Sequence, residues 1–564
     1  MNRFIQNYNG QEYDLLIIGG GITGASIAYE AASRGLKTAL VEKNDFASAT
    51  SAATSRMIHG GLRYLATGEF NLVRESLHER TVLQNIAPNF VHPQPFIFAV
   101  YDYMKSPMWM IKTGLMTYEV LSYDRSQVWD KNKKIPRFNT LTPRDIIRKF
   151  PSVIEHGLKG GFLYYDCKNH SPERLTLAFI KSAIHYGAHV ANYAKVTGFL
   201  YEKINGKIHI TGSRIYDQLK GKTLEIKTKL IVNASGPWAD IMISHLLPDK
   251  PIKHIRRSEG IHLVINKKFS DKYIFASQDR NQEHFFIIPF RGYTIVGTTD
   301  KEFKGDPDNY TITKQSVDYL INKINSALKP EYHISYNDIV LAYGGLRPLV
   351  EDQTKDVYSS SRKYEITDHA RDNILGLITV EGGKFTTSRR LAQKVTDRIF
   401  RKLNKKPIKS ISASNYLVTS QIADLENFIT IKSFQYPMFT PRQIRYLVYS
   451  YGTEIDRLMD IYLTNPGLQK ILNKDGENLA QVVYAIHHEM AYTLTDILLR
   501  RTGIGWIGQP SDETLSLIAR TAAQYLGWDN TQIKQQINDF KKIFSLVNSL
   551  KNNAHEKTIS ATMD

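Results

Sequence analysis

The chain contains one cysteine, Cys167, in 564 residues. A single thiol excludes an internal disulfide, a Cys-x-x-Cys redox pair and a cysteine-ligated iron–sulfur cluster. Electron chemistry would therefore have to reside in a bound cofactor. Long apolar runs are missing too: none approaches the roughly 20 residues that cross a bilayer as a helix. The first twelve residues are polar and lack an apolar signal-peptide core, so a cytoplasmic chain is expected. There is no His-Glu-x-x-His zinc pattern. His487-His488-Glu489 lacks the second histidine, reads as a helix surface, and no metal is expected. Internal repeats are absent.

Positive charge is present in excess. The net charge is +18, of which +14 falls in residues 1–400. Such an excess suits nucleic acid, an anionic membrane surface or anionic substrates, or reflects a generally basic proteome. The basic residues form no tract interleaved with stacking aromatics, which argues against nucleic acid. With 42% hydrophobic and 23% charged residues, the composition is that of a globular protein long enough for two or three domains.

The strongest motif is Asp14-Leu-Leu-Ile-Ile-Gly-Gly-Gly-Ile-Thr-Gly24 with Glu42 at the end of the next apolar run. Leu15–Ile18 suits a buried parallel strand, Ile22–Ser33 a helix stopped by Gly35, and Lys37–Val41 a second strand. Gly19 allows the tight turn, Gly21 lets backbone approach a pyrophosphate, and Gly24 lets helix and sheet pack closely. The helix N-terminus would hold phosphates, and Glu42 can accept from a ribose. Alone, this unit fits NAD as well as FAD.

Four later segments tilt the balance. Ala47–Arg56 is rich in small hydroxyl residues that can donate to a pyrophosphate, and Gly60-Gly61 follows it. An NAD enzyme has no need of such a second loop. Ile231–Asp240 is another strand ending in small residues, and Gly344–Pro348 and Glu381–Thr387 are two further glycine-rich turns, each with one cation. Thr386 and Thr387 can cap the next helix. Glycine-rich segments spread from 19 to 387 imply an extended ligand gripped along its length, and FAD is the better reading.

Elsewhere, residues 13–400 read as α/β, with strands at Leu230–Asn233, His262–Ile265, Phe285–Phe290 and Tyr293–Gly297. Arg291-Gly292 is a two-residue hairpin turn, and Ser171–Tyr186 a helix. The last third is helical: a capping box at Thr440–Gln443, apolar helical spacing from Ile444 to Tyr462, a helix over Val482–Arg501, and another over Ile533–Val547. The expected division is 12–400, a basic linker at 401–414, a helical domain at 415–550, and a disordered polar tail at 551–564.

These segments resemble the FAD-dependent sn-glycerol-3-phosphate dehydrogenases of the aerobic, respiratory branch. The resemblance rests on the opening fingerprint, Ser55–Leu65, Asn233–Trp238, Ile295–Asp300 with Gly305–Pro307, Gly345–Pro348 and Gly382–Thr387, and continues more weakly into the helical tail. It implies a glutathione-reductase-like, Rossmann-type FAD domain, an interleaved mixed-sheet substrate domain and an all-α C-terminal domain. It also implies oxidation of glycerol 3-phosphate to dihydroxyacetone phosphate, with electrons passed to a membrane quinone by a protein peripheral to the cytoplasmic side of the cell membrane, and a homodimer is a further expectation. By resemblance, Arg63, Tyr64, His262, Arg347, Arg362 and Lys384 form the substrate pocket. His262 would be the base, and Arg347 or Lys384 would stabilise the alkoxide. The FAD contacts expected are Gly19, Gly21, Ile22, Thr23, Gly24, Glu42 and Lys43, then Thr50, Ser51, Ser55, His59, Gly60, Gly61 and Leu62. Val196, Ala234, Gly236, Gly345, Gly383, Lys384, Phe385 and Thr386 complete the set.

Two departures stand out. Where the family has Gly-Ser-His, this chain has Gly260-Ile261-His262, and Arg56 stands where Lys is common. Phe96–Met116, with Trp109, Met108, Met110, Lys105 and Lys112, is a candidate membrane contact. The rival activities are a glycerol-3-phosphate oxidase ending in O2, a flavin-dependent tRNA-modifying protein, and a non-catalytic FAD scaffold.

Overall fold

The computed structural model describes residues 1–246, 255–349 and 363–553. Leu15–Ile18 (β1) is apolar throughout and wholly buried, as a central strand of a covered parallel sheet must be. It pairs in parallel with Thr38–Val41 (β2) on one side and Ile231–Asn233 on the other. The six-stranded sheet runs Tyr364–Asp368, Leu377–Gly382, Ile231–Asn233, β1, β2, His189–Ala191. Only the Tyr364–Asp368 edge is antiparallel. The helix Ile22–Ser33 (α1) follows β1 and packs against Pro172–His185 and Ser388–Lys402.

A larger mixed sheet of ten strands carries Val91–Tyr101, Leu158–Asn169, Arg256–Ile265, Ile274–Gln278, His284–Phe290, Tyr293–Gly297 and Ile339–Leu349. Arg291 and Gly292 have φ of 54° and 85°, the left-handed pair that a tight hairpin of this hand requires. Phe70–Ile86 (α2) packs against Val91–Tyr101, and Met108–Leu121 (α3) packs against Leu158–Asn169.

The C-terminal helices share a hydrophobic core with this sheet: Ile444, Leu458 and Leu515 belong to the same buried cluster as Phe275 and Ile339. The Thr440 capping box forms as expected. The segment between the two regions is tied down, through Lys405–Asp14 at 2.6 Å and Ser410–Glu30 at 3.0 Å.

Several expectations need correction. Val482–Arg501 is not one helix. Leu479–Glu489 ends at Met490, whose φ is 51°, and a π-helical turn follows at Asp496–Arg501. Glu489 is no surface residue: it is buried against Arg174 and Lys181 at 2.8 Å each, while His487 is exposed. Thr387 occupies the N-cap of Ser388–Lys402 without a side-chain cap; its hydroxyl points back to the Lys384 carbonyl at 3.5 Å. The first six residues of Phe96–Met116 are core, since Phe96–Tyr101 is a buried strand. The helix expected over Ile533–Val547 ends at Lys542, a turn follows at 543–544, and helix resumes through residue 553; the rest of the expected tail lies outside the described residues.

Candidate active site

A cavity of about 820 Å³ runs between the six-stranded sheet and the ten-stranded sheet. One end starts where β1 meets α1. Gly19 has φ of 110°, and a Cβ there would lie 2.5 Å from the Ala234 carbonyl oxygen; only glycine permits the turn. A Cβ on Gly24 would fall 1.9 Å from the Gly19 oxygen, so Gly24 serves helix–strand contact behind the cavity wall. The N-terminus of α1 has no side-chain cap and opens on the cavity. Its first amide, Ile22 N, donates to Ser51 Oγ at 2.9 Å, which ties the hydroxyl-rich loop to the helix end.

Glu42 lines the same end. Its carboxylate accepts from Gly20 N at 2.6 Å and Asn44 N at 2.8 Å. Burial raises its pKa, and those two amides oppose the shift. Lys43 reaches Asp308 at 2.5 Å and lies 4.2 Å from the Trp238 ring. Thr23, Val196, Ala234 and Gly236 complete this wall.

The middle of the cavity is lined by Thr50, Ser51, Ser55, His59, Gly61, Leu62, Gly383, Lys384, Phe385 and Thr386. Gly60 and Gly345 stand behind it, against expectation. A Cβ on Gly60 would meet Tyr118 and Leu77, and one on Gly345 would meet Ala53 at 2.8 Å, so both glycines set packing distances. Thr50 Oγ1 donates to the Leu346 carbonyl at 2.6 Å, which joins the hydroxyl loop to the Gly345 turn.

His262 is buried, and its register is set by pairing with Gly297 and Tyr343. Its ring stacks on Tyr343 and its Nε2 lies 2.8 Å from Ser55 Oγ, while Nδ1 is buried without a protein partner. Burial, with Arg347 and Arg56 nearby, lowers its pKa to about 3. Ile261, at the departure from the family pattern, donates its amide to Thr299 Oγ1 at 3.0 Å. Arg56, at the other departure, pairs with buried Glu173 at 2.5 Å and stacks over Trp506 at 4.2 Å.

Three cations line the cavity. Lys384 Nζ sits 4.0 Å from the Tyr64 ring centroid and 3.2 Å from Ser76 Oγ. Burial lowers its pKa to about 8, and Arg63 adds to the shift. Arg63 lies over the same ring at 4.9 Å and donates to the Tyr64 hydroxyl at 3.1 Å. Arg347 donates to Thr298 Oγ1 at 2.8 Å and the Thr299 carbonyl at 3.2 Å, and pairs with Asp300 at 3.3 Å. Arg362 lies outside the described residues.

The sequence reading missed His284, Phe286, Phe98 and Tyr164, which close the cavity from the ten-stranded sheet. His284 stands one residue before the strand expected at Phe285. Alternation puts it on the Phe286 face, which was the available signal. Met110, Ile111 and Gly114 of α3 border the same region. Cys167 is buried with its pKa pushed up to about 12, mainly by desolvation, and is unreactive.

An uncapped helix N-terminus, glycines whose Cβ would collide with backbone, and a long cavity between two sheets suit an extended dinucleotide such as FAD. Comparison with known proteins agrees. Residues 14–398 match the FAD dependent oxidoreductase family, and residues 379–533 match the C-terminal domain of alpha-glycerophosphate oxidase. A glycerol-3-phosphate dehydrogenase of Synechocystis sp. is 33% identical over 543 residues, 94% of this chain and 95% of that protein. An aerobic glycerol-3-phosphate dehydrogenase of Bacillus subtilis is 32% identical over 557 residues, 96% of each. The solved glycerol-3-phosphate dehydrogenase of Bacillus halodurans, complexed with FAD, superposes with a TM-score of 0.76 at 25% identity, covering 96% of both chains. With FAD as its cofactor, the chain belongs to the FAD-dependent glycerol-3-phosphate dehydrogenases.

Proposed function

We propose that this enzyme oxidises sn-glycerol 3-phosphate to dihydroxyacetone phosphate and that the electrons leave to a membrane quinone. The observation that carries the reading is that Arg63, Lys384 and Arg347 line the same cavity that His262 borders. A phosphate dianion needs several fixed cations, and arginine suits bidentate contact. Bound FAD supplies the hydride acceptor for C2. His262 takes the proton of the C2 hydroxyl. Nδ1 is buried, so the nitrogen nearest the cavity is Nε2, beside Ser55, and the base role calls for the tautomer in which Nε2 keeps its lone pair and the Ser55 hydroxyl donates to it. Arg347 or Lys384 stabilises the oxygen as its charge develops. Arg362 joins these cations on the family resemblance alone.

No helix among the described residues is long and apolar enough to cross a membrane. The support for peripheral docking is α3, which exposes Trp109 (67%), Met116 (54%) and Val120 (72%) beside Lys105 and Lys112. Met110 belongs to this helix and also borders the cavity, so a quinone in the bilayer would reach the cavity beside α3 on the cytoplasmic face.

Anaerobic glycerol 3-phosphate should bleach the visible flavin band of the loaded protein. Bleaching by other 2-hydroxy compounds but not by glycerol 3-phosphate overturns the substrate assignment. Peroxide formation without quinone reduction would favour the oxidase reading of the acceptor.

A further inference from the structure

Asp45 lies three residues beyond Glu42, between cavity-lining residues on either side, yet its own side chain is fully buried. Three groups from distant parts of the chain hold it. Arg500 Nε donates at 2.6 Å, Arg501 donates twice at 2.8 and 2.7 Å, and Asn192 Nδ2 donates at 2.9 Å. Burial alone would raise the Asp45 pKa; the Arg501 and Arg500 charges outweigh it and hold the carboxyl below its usual range.

Both arginines sit on the π-helical turn Asp496–Arg501. Such turns are rare and concentrate at functional sites. This one has a second grip on the same end of the cavity. Asp496 pairs with Arg500 and accepts the Tyr193 hydroxyl at 2.7 Å. Tyr193 in turn donates its amide to the Asn44 carbonyl at 2.9 Å, and Ala194 donates to the Glu42 carbonyl at 2.8 Å. The strips Glu42–Asn44 and Ala194–Val196, which are hydrogen-bonded side by side and both line the cavity end, are therefore both anchored to one turn far along the chain. Two buried carboxylates meet two guanidinium groups there. Removing one leaves an uncompensated buried charge, and the strip it held loses its fixed position.

We propose that the Asp496–Arg501 turn is a clamp that sets FAD affinity, with Asp45 and Tyr193 as positioning residues for the ADP half of the cofactor. The proposal rests on the ADP half lying along Glu42. Linkage then requires reciprocity: FAD bound to the held strips must stabilise the turn.

The test uses the full-length protein. FAD dissociation is read from the return of flavin fluorescence on dilution, and hydrogen exchange is followed in residues 490–506 with and without FAD. Asp45→Asn should weaken FAD about tenfold, Asp45→Glu should recover part of that loss, and FAD should slow exchange in the native turn. Glu42→Ala checks the site itself. If Glu42→Ala weakens FAD and Asp45→Asn leaves it within twofold, the clamp falls while the site stands. If neither matters, the site reading falls and the clamp with it. Exchange in the turn that ignores FAD also overturns the proposal. Should Asp45→Asn not fold, Tyr193→Phe removes the hydroxyl's links to Asp496 and Thr493; threefold or greater weakening supports the clamp, and unchanged affinity overturns it.

Discussion

The rings of His262 and Tyr343 lie 4.9 Å apart and 8° from parallel. Trp506 meets Tyr343 edge-on at 4.8 Å and 86°, and the Tyr343 hydroxyl donates to the Thr54 carbonyl at 3.0 Å. A residue of the helical C-terminal region thus backs a tyrosine that backs the proposed base. The imidazole has one polar contact, Ser55, and one flat aromatic support.

Removing that support should free the ring. Tyr343→Leu is expected to lower kcat about 10- to 100-fold with little change in KM, because misorientation of a base acts on the chemical step. Tyr343→Phe keeps the ring and should retain most activity. Steady-state kinetics on both variants check this; a purely structural role would lower Tm and leave kcat per folded flavin unchanged.

Lys384 should titrate in the working range. Its pKa is lowered to about 8, first by burial, so its charge is present below that pH and is lost above it. KM for glycerol 3-phosphate should rise as pH climbs past about 8. Lys384→Arg should move that limb upward, since a guanidinium does not titrate there. Lys384→Met should raise KM about 10- to 100-fold at neutral pH, the loss of one charge-assisted hydrogen bond.

Gly260 is a sharper probe of Arg347. A Cβ at Gly260 would stand 1.9 Å from Arg347 Nη2, so Gly260→Ala must displace the guanidinium. Activity should fall about 100-fold while FAD content stays normal, because Gly260 does not line the cavity. Flavin-to-protein absorbance and turnover, measured together, separate the two effects.

Acid should destabilise the fold early. His59, His262 and His284 have pKa values lowered to about 3, and His92 and His170 fall well below their usual range, all chiefly by burial. Their folded values lie below the unfolded one. Between about pH 6.5 and 3 the unfolded chain binds more protons, so stability drops as pH falls through that window. A decline in Tm of about 2 to 5 °C between pH 7 and pH 5 is expected from these groups together. His284→Gln should flatten the curve, and a Tm independent of pH down to 5 would contradict the burial of these rings.

The sequence was most readable where structure is local. β1, α1 and β2 follow from apolar runs and three glycines within about 30 residues, and Arg291-Gly292 marks its own turn. It was least readable where distant chain decides. The helix expected through Arg501 stops at Glu489 because tertiary donors take the carbonyls: Arg501 Nε binds the Glu489 oxygen at 2.9 Å and Asn192 the Met490 oxygen at 2.9 Å. Asp45 and Arg500 are 455 residues apart, and no periodicity links them. Gly60 and Gly345 look like ligand contacts by composition; only packing reveals them as spacers. The family resemblance pointed to Arg63, Lys384, Arg347 and His262, all four of which line the cavity, whereas His284 was passed over by one residue at a strand end.

The strand order of the six-stranded sheet has a consequence for how the protein is made. β1 emerges with β2 close behind, but its other neighbour, Ile231–Asn233, is some 200 residues away. At ordinary synthesis rates that is a delay of roughly 10 to 40 s with one edge of the innermost strand open. The cavity wall at Lys384 arrives later still, and Arg500 later again. Flavin therefore joins a nearly finished chain, and the cell must shelter the growing one until then.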